Sequence, residues 1–300
     1  MNRTLLVGAG IGLFVMMVFA LTGTWYLVLD TPAATPSELE ASPPHYTTET
    51  APAAFTLTVE ARSVSLGDGT EVANWTVGIA YNASTGERLA WRTASGPGPT
   101  VDTIEYQRRV GNRTLTFLRY HTSDRERFRV DGGDTQAEYP NTSLVVDSPN
   151  QTYRHAWMGP AEAFTVTPTQ LPTLSFLQTI PFTHSGSDTY DGRAVEVYVP
   201  QDGWTDTPGQ TNRKGPETAL SETTGELYVR RATETIVYAN LSVTSKRTDR
   251  RIGRYVGDPG TREHITLRVR ESVDPSLRPD WASNESFRTR DPTPEPFARP

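Results

Sequence analysis

From Phe55 onward the side chains repeat with a period of two. Phe55, Leu57, Val59 and Ala61 alternate with Thr56, Thr58, Glu60 and Arg62. A strand places every second side chain on one face, so this alternation predicts a half-buried strand and rules out an amphipathic helix there. The turn Gly67 to Gly69 leads into a second such run, in which Trp75, Val77, Ile79 and Tyr81 share one face. Further strands are expected near 89–93, 103–110, 114–120 and 125–130, with a turn at Gly111-Asn112. Beyond residue 190 the turn Asp191-Gly192 precedes a strand at 194–199. A turn at Gly225 precedes one ending at Val229, and strands follow at 236–243 and through Ile265, Leu267 and Val269. Such closely spaced strands with Gly, Asn and Asp at the joints imply an antiparallel meander, because parallel strands need long crossovers. The 23 glycines and 23 prolines agree with a chain of strands and turns.

The period breaks between Pro160 and Pro181. Leu171, Leu174, Leu177 and Ile180 recur at helical spacing, while Pro168 and Pro172 restrict any helix to short pieces. These pieces are read as a cover over the sheet, with a lid as the alternative. The stretch 202–217 reads as a solvated loop, and Ser185 to Asp188, "SGSD", as a turn.

The first 29 residues set the topology. After Arg3 an uncharged run of about 26 residues continues to Leu29, enough to cross a hydrocarbon core of roughly 30 Å at 1.5 Å per residue. Arg3 precedes it, Asp30 follows it, and Trp25 and Tyr26 sit where an interfacial aromatic belt belongs. The expectation is a single-pass anchor in the cell membrane through residues 4–29, with the N-terminus cytoplasmic and residues 30–300 extracellular. A signal peptide cleaved after Ala20 is the alternative, but the apolar run extends well past that point. Residues 30–52, rich in Pro, Thr, Ser and Glu, read as a disordered stalk. Residues 53–287 form the β ectodomain, and 288–300 read as a disordered tail.

Eight of the nine asparagines open an Asn-x-Ser/Thr acceptor pattern. With Ser and Thr at about a fifth of the chain, chance would supply roughly two. Seven lie beyond the apolar run: Asn74, Asn82, Asn112, Asn141, Asn150, Asn240 and Asn284. Asn74 and Asn82 fall on the face of their strand opposite Trp75, so both are expected to point into solvent. Local turn chemistry also accounts for Asn112 and Asn141. The pattern as a whole points to an N-glycosylated ectodomain.

Other chemistry is hard to find. With no cysteine there is no disulfide, thiolate site or cysteine-linked lipid. The five histidines are scattered without metal-ligand spacing, and no nucleophile elbow, P-loop or dinucleotide glycine pattern occurs. No catalytic residue, metal set or cofactor is expected, and the chain is not read as an enzyme. Twenty-seven of its 29 basic residues are arginine against 35 acids, which suits either a salt-adapted or a GC-rich proteome. No basic stripe with interleaved aromatics suggests nucleic acid as a partner.

The order of the last elements carries a resemblance. Tyr190-Asp191-Gly192-Arg193 turns into "AVEVYV". "TGELYV" and "IVY" follow, and a final strand precedes Arg278-Pro279-Asp280-Trp281. Over about residues 53–287 this resembles the lipoprotein-carrier (LolA-like) superfamily, and most of all its haloarchaeal membrane-anchored or lipoprotein members of unknown function. The resemblance implies a mainly β (α+β) fold: a curved antiparallel half-barrel with short helical pieces over its concave face. It also implies an apolar cavity. The chain departs from relatives anchored through a lipidated cysteine, and a tethered protein cannot shuttle between membranes. The expected function is non-covalent binding of an apolar, lipid-like ligand lined by Trp75, Val77, Ile79, Tyr81, Leu171, Leu174, Phe176 and Leu177. The alternative is a sensory or protein-binding envelope ectodomain with a filled core.

Overall fold

A computed structural model describes residues 33–44, 46, 50–125, 143–147, 149–160, 176–205, 218–247, 259–272 and 277–283. The segment expected to cross the membrane lies outside them. No helix among the described residues is long and apolar enough to cross a bilayer.

The described chain is mainly β and builds one open antiparallel sheet. A first group of strands is β1 (Ala54–Ser65), β2 (Glu71–Asn82), β3 (Glu87–Ser95), β4 (Val101–Val110), β5 (Arg113–Thr122), β6 (Ser143–Asp147) and β7 (Thr152–Pro160). A second group is β8 (Phe182–Tyr190), β9 (Arg193–Pro200), β10 (Gly203–Thr205), β11 (Thr218–Arg230), β12 (Thr235–Arg247) and β13 (Thr261–Arg270). Across the sheet the order is β6-β7-β5-β4-β3-β2-β1-β13-β12-β11-β9-β8, with β10 against the other part of β11. The first and last strands therefore meet in the middle and join two meanders into one sheet.

The alternation in β1 sets where the core sits. Phe55, Leu57, Val59 and Ala61 pair with Tyr81, Ile79, Val77 and Trp75 of β2. On the other side Leu57, Val59 and Ala61 pair with Val269, Leu267 and Ile265 of β13, which continue into Ala239 and Leu241 of β12. This first face carries the larger apolar cluster, to which Leu177, Ile180 and Phe182 are added from the segment that precedes and opens β8. Each large apolar side chain so buried contributes about 1.5–3 kcal/mol relative to exposure.

The opposite face differs from the solvated surface that the alternation predicts. On β2 it presents Gly78 and Ala80, both buried, and Trp91 of β3 lies across Gly78. Ala80 joins Tyr106, Phe117 and Ala156 in a second cluster, capped by Leu277, Trp281 and Ala282 around a 3-10 turn at Asp280–Ser283. Thus "RPDW" is a cover over the second face. Asn74 and Asn82, expected to project into solvent from that face, are each half-buried.

Three further expectations are corrected. Gly225 is not a turn but an interior residue of β11, at φ 110°, just past a register shift between Ser221 and Thr224. Ser185 to Asp188 lie inside β8, where a bulge between His184 and Gly186 takes up Ser185 and the glycine pairs with Val197. The third concerns residues 33–44, part of the expected stalk, which run across one end of the second meander. Thr35 N donates to Trp204 O of β10 and Glu38 N to Phe182 O of β8; Ser42 N donates to Glu234 O while Ile236 N of β12 donates to Ser42 O. Leu39 and Ala41 pack on the first cluster. Backbone hydrogen bonds to strand ends hold this strap, and such bonds leave no trace in composition. Leu171, Leu174, the 126–130 strand and residues 206–217 of the expected loop lie outside the described residues.

Candidate functional site

Of the residues expected to line an apolar cavity, Ile79 and Leu177 are fully buried and Tyr81 is 5% exposed; Leu177 and Tyr81 belong to the first cluster, and Ile79 is the register partner of its Leu57. Trp75 and Phe176 are half-buried at its margin, and Val77, the register partner of Val59, is also half-buried. Phe176 and Leu177 form a short helical piece, with Thr179 N donating to Phe176 O at 2.9 Å. The structure brings the described members together, but as parts of a packed interior. A side chain that bordered an empty space of a water's size would present surface to it. Phe55, Val59, Ile79, Leu177, Ile180, Phe182, Leu227 and Ile236 present none.

The same face changes character beyond β2. In the rung that starts at Tyr81, the next side chains are Arg88 of β3, Gln107 of β4 and Thr116 of β5. All three are buried, and Arg88 pairs with Glu105 of the neighbouring rung. His155 of β7 is also buried, and burial pushes its pKa below the ordinary value, so the imidazole is held neutral. A purely hydrocarbon ligand would find poor solvation partners over this half of the face.

At the β8 edge one carboxylate gathers several donors. Glu196 of β9 accepts from Ser187 Oγ at 2.9 Å, lies 2.7 Å from His184 Nε2 and pairs with Arg231. The hydrogen bond with His184, then those from Arg231 and Ser187, hold its carboxyl down at about 2, against an ordinary 4.5. A depressed carboxyl stabilises the fold above its ordinary pKa, and that contribution disappears as pH falls through the folded value. The melting temperature should therefore fall between pH 4.5 and about 2 less steeply in a Glu196→Gln variant than in the parent. Thermal melts across that window, read by circular dichroism, would show it, and parallel pH profiles would refute it.

The asparagines divide into two kinds. Asn82 Oδ1 accepts from Ser84 N at 3.0 Å and Ser84 Oγ at 2.7 Å, and Asn150 Nδ2 donates to Asp147 Oδ2 at 2.8 Å. These two patterns are stitched into local turns. Asn112 and Asn240 are exposed. Asn141 and Asn284 lie outside the described residues.

A hollow of about 170 Å³ opens on the opposite face, over β1 and β13, lined by Thr56, Thr58, Glu60, Thr266, Arg268 and Arg270. In the sequence these residues read as an ordinary polar strand face. The available signal was the repeated cation at alternate positions in "TLRVR". Among the described residues no group of three or more His, Asp or Glu is arranged to hold a metal ion. Set against models of known protein families and against curated proteins, the chain matches none.

Proposed function

We propose that the chain is a single-span, N-glycosylated cell-envelope protein whose ectodomain works as a binding or sensory module with a filled apolar core. The anchor is the uncharged run at residues 4–29, which would leave residues 30–300 outside the cell. In the LolA-like reading the sheet is a half-barrel, and the strap at 33–44 and the turn at 176–181 supply the cover over its first face. The observation that carries the filled-core reading is the zero exposure of the side chains that a cavity would need as its walls. Recognition then falls to the sheet's exposed face and edges, and the partner would be another envelope component. No step of bond chemistry is assigned.

A second reading, binding of a lipid-like ligand, is favoured by one observation. Trp75, Phe176, Leu39 and Tyr46 flank the first cluster and are only partly covered. An acyl chain would enter there by displacing the strap or the 176–181 cover. Native mass spectrometry of the full chain, purified from its own membrane, treated to remove N-glycans and released from detergent micelles, separates the two. A filled core predicts the polypeptide mass alone, with no uptake of added phospholipid. A stoichiometric extra mass that organic solvent removes and lipid analysis identifies would overturn it in favour of a lipid binder.

A further inference from the structure

The hollow over β1 and β13 is built from three consecutive rungs, Thr56 opposite Arg270, Thr58 opposite Arg268 and Glu60 opposite Thr266. Arg268 and Arg270 are two residues apart on one strand, so both guanidinium groups rise on the same face. Both are exposed, and among the described residues neither makes a hydrogen bond or an ion pair. Their neighbours on that face are compensated. Arg62 pairs with Glu71 at 2.9 Å, and Arg262 pairs with Glu222. Two unpaired arginines thus lie side by side over the hollow. Among the residues that line the hollow the carboxylate is Glu60, a rung away from Arg268; Glu226 lies farther along the same face, where it accepts from Tyr228 Oη at 2.8 Å.

An aromatic shelf adjoins the cations. Tyr238 of β12 is the register partner of Arg268, and Tyr228 of β11 is the partner of Tyr238. Tyr190, at the end of β8, closes the group, with ring centroids 5.5 Å from Tyr238 and 5.9 Å from Tyr228, and 4.8 Å between those two. Burial raises the Tyr190 pKa, while Arg270 and Arg268 act in the opposite sense, as cations near that ring must. All three rings are half-buried, so part of each remains open to a ligand.

We infer that this hollow binds an acidic sugar, its carboxylate or sulfate gripped by Arg268 and Arg270 and its ring lying against the tyrosine shelf. Arginine forks are suited to planar or tetrahedral oxyanions. The hydroxyls of Thr58 and Thr266 both donate and accept, as ring hydroxyls require, and Thr56 Oγ1, which donates to Ser272 O at 3.3 Å, keeps its acceptor lone pairs. A pyranose ring has an apolar C–H face to lay on an aromatic side chain and a polar edge to turn toward threonines. A bare inorganic anion would use the arginines and leave the shelf idle. The ligand has two sources, a free saccharide or the chain's own N-linked glycan, because exposed Asn240 is the register partner of Thr266 on the hollow's wall. The inference holds whether or not the first face also takes a lipid.

The test is calorimetric titration of the full chain in detergent, after removal of N-glycans, with trigalacturonate, maltotriose and sodium sulfate in turn. Trigalacturonate should bind, more weakly as salt rises, and the exposed-site double variant Arg268→Gln/Arg270→Gln should lose at least about tenfold in affinity. Tyr238→Leu should also weaken it, whereas Arg119→Gln, an exposed charge on β5, should not. Equal binding of maltotriose, equal binding of sulfate, no binding, or full affinity in the double variant would each overturn the inference. Weaker binding by the glycosylated chain, relieved by Asn240→Gln, identifies the chain's own glycan as the occupant. Equal affinities with and without glycan identify a free saccharide.

Discussion

Replacing Gly225 with valine should cost the domain about 3 kcal/mol or more, a large fraction of the roughly 5–15 kcal/mol that holds an ordinary domain folded. Two strains coincide at this position. The residue sits at φ 110°, which a β-branched side chain does not adopt without distorting the strand. A Cβ there would also lie 2.9 Å from the Asn240 carbonyl carbon and 3.0 Å from Leu241 Cα, and closer still to the Asn240 oxygen. Those neighbours are backbone of β12, so no side-chain rotation can relieve the clash. β11 must back away from β12 along the two 13-residue strands that pair there. Gly192→Ala is the matched comparison. Gly192 has a positive φ of 73°, but nothing lies within 4 Å of the added Cβ, so its cost should stay at about 1–2 kcal/mol. Urea unfolding of the two variants, followed by circular dichroism, measures the difference. A Gly225→Val protein as stable as Gly192→Ala would mean that the two strands do not approach so closely.

Gly225 also shows where sequence reading meets its limit. Glycine marks a turn, a bulge or a close backbone approach, and only the partner strand decides which. At Asp191-Gly192 the turn reading holds, because alternating strands begin on both sides of it. At Gly225 and at Gly186 the strand runs on through the glycine, and the irregularity is taken up within the ladder. Alternation is equally reliable for one face and silent about the other. Phe55, Leu57 and Val59 on β1, and Ile265, Leu267 and Val269 on β13, were legible because apolar side chains at period two have one use. Gly78 and Ala80 gave no such sign, since small residues fit both a solvated face and a face on which a tryptophan lies flat. Their burial depends on Trp91 and on Leu277 to Ala282, far away in the chain. Arg268 and Arg270 were hidden for a related reason. A polar face reads as solvated until register shows which charges go unpaired.

Removing residues 33–44 from the full chain should lower the melting temperature by at least about 10 °C, corresponding to roughly 3–5 kcal/mol for a domain of this size. Composition alone makes this segment a spacer, and a spacer can be shortened without thermodynamic consequence. The structure assigns it a different burden. The strap ties β10, β8 and β12 together, none of which it follows in the chain. Thr35 exchanges bonds with Trp204; Ser37 Oγ accepts from Phe182 N at 3.1 Å; Glu38 Oε2 accepts from His184 N at 2.7 Å. Net contributions of about 1 kcal/mol for each such bond already account for much of the expected loss. Leu39 and Ala41 add apolar cover above a cluster in which Phe182 and Ile236 show no exposure at all. Leu39→Asp should reproduce part of the effect without shortening the chain, because a carboxylate cannot be seated against that cluster unpaired. Hydrogen exchange reads the mechanism directly. The amides of Phe182, His184, Trp204 and Ile236 should lose protection in the deletion, while those of β4 and β5, at the far side of the sheet, keep theirs. If protection and melting temperature were both unchanged, the segment would be a spacer after all, and the β8 edge would have to be stable without it.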